Sequence, residues 1–473
     1  MLICILTRKY KIDGQRLTDT IWEIILMNKK EFVKEIAVKC QNNEAALFLG
    51  AGMSNNAGLP SWKKLFEPLA REIGIDLDKT NYQLYDIAQF YANDKGISQL
   101  HKKVSSEINK IDETSATLDE LTNMQCNSIW TTNFDKVIEN NYYRKGKRTN
   151  IIHSEENLVS VELNKNINIF KMNGDIDDLK HAIITKEDLE GYNEKHKLLL
   201  TFFKRELVVK CFLFIGYSFT DSLVLPCISE LSQAFDGEHP YHYAIMKKSK
   251  DADFINFISD LKTRYHIKTL LIDDYDEIRD VLKEINYYTN QHNVFISGSY
   301  RENDEKKLLE ISRFCNKLTN ALYRENLRIV NGYGYKVGYY IASAATKLML
   351  EENVASFEKY LLMYPFDEHL TKTQKYKHRE FMISKANVVI FMYGVASSDS
   401  GMIEEFNIAK NDPRKIIIPI GSTGGAAKII YDKVKSNILQ YPYLEKVIDD
   451  LLSENDVDKL IPIIIDVICQ NLN

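Results

Sequence analysis

The chain has 473 residues, too many for one ordinary hydrophobic core, and division by the usual domain size points to two large folded units. Hydrophobic residues make up 45% and charged residues 27%, an ordinary globular balance that excludes a disordered or fibrous chain. The formal net charge of −5 and the scattered basic residues argue against nucleic acid as a partner.

No apolar run reaches bilayer-spanning length, the longest being Ile416 to Ile420 and Leu460 to Ile468, so no membrane partner is expected. Met1 to Leu6 is briefly apolar, but Arg8, Lys9 and Lys11 follow it, the wrong order for a secretory signal. Residues 1–26 read as an extension ahead of Met27, where the first clear amphipathic helix begins.

From Lys29 to Cys40, apolar residues fall at Phe32, Ile36, Ala37 and Cys40, which is helical spacing. Ala45 to Leu49 is a short continuous apolar run, as expected for a parallel strand covered on both faces. It leads into Gly50-Ala51-Gly52-Met53-Ser54 and then Asn55-Asn56-Ala57-Gly58-Leu59-Pro60-Ser61-Trp62. Glycines after a strand let backbone approach a diphosphate, which a helix starting there can face with its first amides. A plain structural turn explains the same residues. The next element, Trp130-Thr131-Thr132-Asn133-Phe134-Asp135, ends an apolar strand in a polar cluster. Strand C-ends are where such folds bind ligands, although Thr132, Asn133 and Asp135 are also common helix caps. Ile167 to Met172 closes as Phe170-Lys171-Met172-Asn173-Gly174-Asp175, and Cys211 to Ile215 as Phe214-Ile215-Gly216-Tyr217-Ser218-Phe219-Thr220-Asp221.

Thr269 to Ile272 is a further strand, and a domain boundary is expected in the polar stretch Asn286 to Asn293. The second half repeats the strand-then-glycine pattern. Val294 to Ile296 runs into Ser297-Gly298-Ser299, Arg328 to Val330 into Asn331-Gly332-Tyr333-Gly334, and Ile416 to Ile420 into Gly421-Ser422-Thr423-Gly424-Gly425. Arg379 lies in a predicted helix before the strand Val388 to Met392, and Glu404 with Glu405 lies beyond it. An arginine can grip phosphate and a glutamate can hold ribose hydroxyls; a surface ion pair is the plainer reading. Strands alternating with helices throughout predict an α/β protein of two Rossmann-like, doubly wound domains, 27–286 and 287–473.

Cys4, Cys40, Cys126, Cys211, Cys227, Cys315 and Cys469 never form a C-x-x-C pair, which fits free thiols in a reducing compartment and offers no four-cysteine zinc site. No bound metal is expected.

The four N-terminal motifs, in this order, resemble the sirtuin-type NAD-binding domain. The resemblance implies that Ala51, Gly52 and Ser54 form the diphosphate loop, that Asn133 and Asp135 face the nicotinamide ribose, and that Gly216 and Ser218 lie on the adenosine side. It implies NAD+ as substrate, with hydrolysis to nicotinamide and ADP-ribose. Without the zinc module of protein deacylases, deacylation ranks third. In that family a histidine acts as general base where this chain has Asn173, and an amide cannot take up a proton at neutral pH. Three explanations are open: a substitution introduced to trap substrate, a natural loss of activity, or rescue by His153 or His181. The other motifs, being intact, favour the first.

The C-terminal half resembles the SLOG family of Rossmann-like nucleotide-binding domains, with Ser297, Gly298, Ser299, Gly332, Gly334, Arg379, Glu405, Gly421 and Thr423 as the implied ligand contacts. The domain order as a whole resembles the effectors of Thoeris antiphage defence. That implies a bacterial cytoplasmic homo-oligomer, a tetramer, activated by a cyclic ADP-ribose isomer from a TIR-domain partner. The rival reading is a non-catalytic NAD or nucleotide sensor acting as a scaffold.

Overall fold

A computed structural model describes residues 27–472 except 109–114, 162–165, 221–222, 236–238, 252, 354–356, 368 and 398–399. The extension at 1–26 and Asp221 of the fourth motif lie outside the described residues. The chain divides into two compact units, the second beginning at Asn290.

The first unit is built on seven parallel strands: β1 (Ala45–Leu49), β2 (Ser128–Thr131), β3 (Thr149–Ile152), β4 (Ile167–Lys171), β5 (Cys211–Ile215), β6 (His242–Lys247) and β7 (Ile267–Ile272), in the order β3-β4-β2-β1-β5-β6-β7. Every residue of β1 and β5 is buried, and neighbours along β1 go to opposite sides. Ala45, Leu47 and Leu49 join one apolar core with Ile129 and Leu213; Ala46 and Phe48 join the other with Trp130, Phe203 and Phe214. The period of two thus packs both faces of the sheet under helices. Trp130 and Phe170, cross-strand neighbours on β2 and β4, stack with centroids 4.1 Å apart. After β1 the chain adds β2, runs out to the edge strand β3, returns to insert β4 between β3 and β2, then crosses to β5 on the other side of β1. That reversal places the C-terminal ends of β1, β2, β4 and β5 around one crevice, where open α/β sheets bind ligands.

The second unit carries β8 (Asn293–Ser299), β9 (Arg328–Asn331), β10 (Leu361–Met363), β11 (Val388–Tyr393) and β12 (Ile416–Ile420), all parallel, in the order β10-β9-β8-β11-β12. Its chain reverses direction between β8 and β11, over a single apolar core that includes Val294, Phe314, Ile390 and Ile418.

The two-sheet α/β architecture agrees with the sequence expectation, with two differences. β3, β6 and β10 were not foreseen: β3 is a half-buried edge strand, and β6 mixes His242 and Lys247 with its apolar residues. The polar stretch from Asn286 is not all linker either, since the helix Glu277–Thr289 runs through its first four residues. Asn286 donates to the Glu120 carbonyl at 2.9 Å, and Thr289 Oγ1 donates to the Ile285 carbonyl at 2.7 Å. Those polar side chains satisfy backbone acceptors instead of breaking the helix.

Candidate functional site

At the end of β1 the chain turns through Gly50 into a short helix, Ala51–Asn56. The glycines here answer to another backbone: a Cβ on Gly50 would lie 2.3 Å from the Gly216 carbonyl oxygen, and one on Gly52 2.9 Å from Gly216 Cα. Gly216 itself sits at φ 64°, where glycine is favoured. The first and fourth motifs are thereby locked together, with the Gly52 amide donating to the Gly216 carbonyl at 2.9 Å.

Ser54, Asn133 and Asp135 meet beneath this turn, all buried. Ser54 Oγ donates to Asp135 Oδ2 at 2.7 Å, and Asn133 Nδ2 donates to Ser54 Oγ at 2.9 Å and to the Gly50 carbonyl at 3.1 Å. Asp135 Oδ1 accepts from the amide of Val137, the first residue of the following helix, whose N-cap position is Lys136. Asn133 Oδ1 and Asn173 Oδ1 are buried acceptors without a hydrogen-bond partner, an unusual state for polar atoms away from water. Asn173 Nδ2 donates to Tyr85 Oη at 3.4 Å.

A cavity of about 30 Å³, bounded in part by Ala51, Ser54, Trp62, Asn133 and Asp135, shares Asn55, Leu59 and Pro60 with an open cleft of about 570 Å³ that Lys64 and Glu107 also line. Trp62 meets Phe134 edge-on at 4.9 Å and lies 6.4 Å from the Tyr85 ring. Trp62 stood in the first motif without a role, and Tyr85, far off in sequence, carried no signal.

Beneath the site lies a buried cation that pattern reading missed. Lys171 is 1% exposed, and its ammonium donates to the carbonyls of Phe134 (3.0 Å) and Asp135 (2.6 Å), to Glu139 (2.9 Å) and to Asp175 (2.7 Å). Burial pushes the Glu139 carboxyl above the usual range, against the pull of Lys171. Burial also acts upward on Asp175, but Lys171, the Asp177 amide and Lys136 outweigh it and hold that carboxyl low.

His181 pairs with Asp178 at 2.8 Å and is largely exposed, while His153 approaches the same carboxylate at 3.9 Å. His181 is held by the Asp178 carboxylate, whereas His153 Nδ1 is buried without a hydrogen-bond partner. Ser218 is exposed and bonds Thr220. Among the described residues no group of three metal-ligating side chains occurs, and no helix is long and apolar enough to cross a membrane.

In the second unit, Ser297 Oγ donates to Glu405 Oε2 at 2.5 Å, Arg379 Nη1 donates to Glu404 Oε2 at 2.5 Å, and Arg379 Nε stands 3.5 Å from Glu405 Oε1. Arg379 also lies over the Phe366 ring at 5.1 Å. Burial raises the Glu405 carboxyl to about 7. Gly298, Ser299 and Gly334 adjoin, a Cβ on Gly334 falling 2.1 Å from the Gly298 carbonyl, while Gly332 packs on Met382 and Phe366. A Cβ on Gly421 would fall 2.8 Å from the Tyr431 ring, and Thr423 Oγ1 accepts from the Tyr393 amide and donates to the Ile420 carbonyl, both at 2.7 Å.

Residues 127–270 match the SIR2-like domain, and residues 277–471 the Sir2- and TIR-associating SLOG family. The chain is similar along most of its length to three proteins called NAD(+) hydrolase ThsA. The one from Enterococcus faecium is 30% identical over 480 residues, 93% of this chain and 99% of that protein. Those from Bacillus cereus (strain MSX-D12) and Acinetobacter baumannii (strain 532279) are each 29% identical, over 87% of this chain and 90% and 92% of theirs. With both domain types in the same order and this coverage end to end, the chain belongs to the ThsA family.

Proposed function

We propose that this chain is an NAD+ glycohydrolase that releases nicotinamide and ADP-ribose, depleting NAD+ as part of antiphage defence. The observation that carries the reading is the Ser54–Asn133–Asp135 network at the switch point of the first sheet, with two buried acceptor oxygens, Asn133 Oδ1 and Asn173 Oδ1, left open beside it. The ThsA relatives are named for this hydrolysis.

The chemistry asks little of a nucleophile. Nicotinamide leaves as a neutral molecule, positive charge develops on the ribose, and water adds at C1′ with loss of a proton. In this reading Ala51, Gly52 and Ser54 bind the diphosphate, Gly216 and Ser218 the adenosine side, and Asn133 and Asp135 the ribose. Fixing the ribose and water in reacting geometry supplies much of the catalysis. Asn173 can orient a water through Oδ1 but cannot accept its proton, so this chain turns over more slowly than its histidine counterpart.

The second unit senses a cyclic ADP-ribose isomer made by a TIR-domain partner, with Ser297, Gly298, Ser299, Gly332, Gly334, Arg379, Glu405, Gly421 and Thr423 on the ligand. The working form is a bacterial cytoplasmic homotetramer. Asn173 favours a second reading, in which the chain binds NAD+ without turnover and acts as a scaffold.

The test is nicotinamide release by the chain and by Asn173→His, with and without cyclic ADP-ribose isomers. A general base is worth about 10²-fold or more, so Asn173→His should raise ligand-dependent turnover by at least that factor. If both forms bind NAD+ and neither turns over, the scaffold reading replaces hydrolysis.

A further inference from the structure

A lysine 1% exposed is rare, and this one is fully engaged: the Lys171 ammonium meets two carbonyl oxygens and two carboxylates within 3.0 Å. The carbonyls belong to Phe134 and Asp135, in the loop that carries Asn133 and Asp135 away from β2. The carboxylates belong to Glu139, on the helix that follows that loop, and to Asp175, in the loop beyond β4 that carries Asn173. Lys136 extends the network, bridging Asp175 (2.9 Å) and Asp177 (2.8 Å). A backbone pairing also joins the two loops, from the Ile176 amide to the Phe134 carbonyl at 3.0 Å.

We infer that Lys171 is a positioning residue for the NAD+ site: its buried ammonium ties the loop bearing Asn133 and Asp135 to the loop bearing Asn173, setting the spacing of the groups that would surround the nicotinamide ribose. A compact cation suits the task because its three N–H donors can be shared among four oxygens packed around it, and its charge draws both carboxylates inward. Lys171 touches no part of the substrate and acts through the residues it holds. The inference rests on the NAD+ site proposed above.

Removing the ammonium alone strands two buried carboxylates and can unfold the unit. The test therefore uses Lys171→Met and the charge-balanced triple variant Lys171→Met/Glu139→Gln/Asp175→Asn, with Leu261→Ala as a control that empties a core position on a helix far along the chain. Amide exchange over residues 131–137 and 172–177 is read against β5, and NAD+ affinity is measured by calorimetry. In whichever lysine variant folds, exchange in those two segments should rise at least tenfold while β5 is unchanged, and NAD+ affinity should fall about tenfold or more. Leu261→Ala should lose thermal stability and keep its affinity. A folded lysine variant with uniform exchange and unchanged affinity overturns the inference, as does a control that loses affinity equally. If the unsubstituted chain binds no NAD+, the NAD+ reading fails by itself, and the local exchange still decides whether Lys171 ties the loops.

Discussion

Two buried acidic groups show how neighbours set the work a residue can do. Asp175 shares its oxygens among Lys171, Lys136 and the Asp177 amide and stays ionised. Glu405 has a serine and a guanidinium already pulled toward Glu404, and burial dominates, raising it to about 7. A carboxyl raised in the folded state binds its proton more tightly there than in the unfolded chain. Its stabilising contribution is therefore complete below about pH 4.5 and is lost as pH rises toward 7. At about 1.4 kcal/mol per pH unit this amounts to roughly 3 kcal/mol. Glu405→Gln, neutral at every pH and similar in shape, should flatten the pH dependence of the second unit's unfolding free energy over that window. Urea titrations at pH 4.5, 6 and 7.5 measure it; an undiminished slope in the variant means the raised carboxyl lies elsewhere.

At the scale of elements, the strand-to-helix turns explain which parts of the chain were legible. Gly50, Gly52, Gly298 and Gly334 announced themselves because backbones converge there and no side chain fits. At Gly421 the crowding comes from a side chain instead, a Cβ there falling 2.8 Å from the Tyr431 ring. Strands such as β1 and β5, buried on both faces, declare themselves as unbroken apolar runs, whereas the edge strand β3 is pinned by pairing with β4 and needs no such run. Lys171 was invisible for a different reason: its partners at 134, 135 and 139 become neighbours only through the β2–β4 pairing. The turn after β12 separates conformation from contact. Gly424 and Gly425 both have positive φ, 75° and 60°, but a Cβ on Gly424 meets open space and one on Gly425 falls 2.0 Å from the Gly394 carbonyl. Gly424→Ala should cost about 1–3 kcal/mol, because φ 75° with ψ −161° is a conformation essentially only glycine adopts, and Gly425→Ala more, since backbone must also move. Equal losses in thermal unfolding would mean that the Gly394 strand end yields freely.

For the whole molecule, the proposed function has each of the two units answer its own ligand. NAD+ at a hundredfold over its dissociation constant stabilises the unit that binds it by about 2.7 kcal/mol, enough to raise that unit's unfolding transition by roughly 5 to 10 °C. A cyclic ADP-ribose isomer should do the same for the other. Activation demands more than two independent sites: the isomer must bind the catalytically competent arrangement more tightly than the resting one, since a ligand indifferent to the two moves nothing. Such coupling is reciprocal, so NAD+ must tighten the isomer's binding by the factor the isomer tightens that of NAD+. Calorimetric titration of the isomer with and without a saturating, non-hydrolysable carbocyclic NAD+ analogue reads that factor directly. A gated hydrolase should show a change of about fivefold or more in the isomer's affinity. Identical affinities would mean that the second unit reports its ligand to something other than the Asn133 and Asp135 site, and the scaffold reading, in which Asn173 is at home, would gain what the gated hydrolase loses.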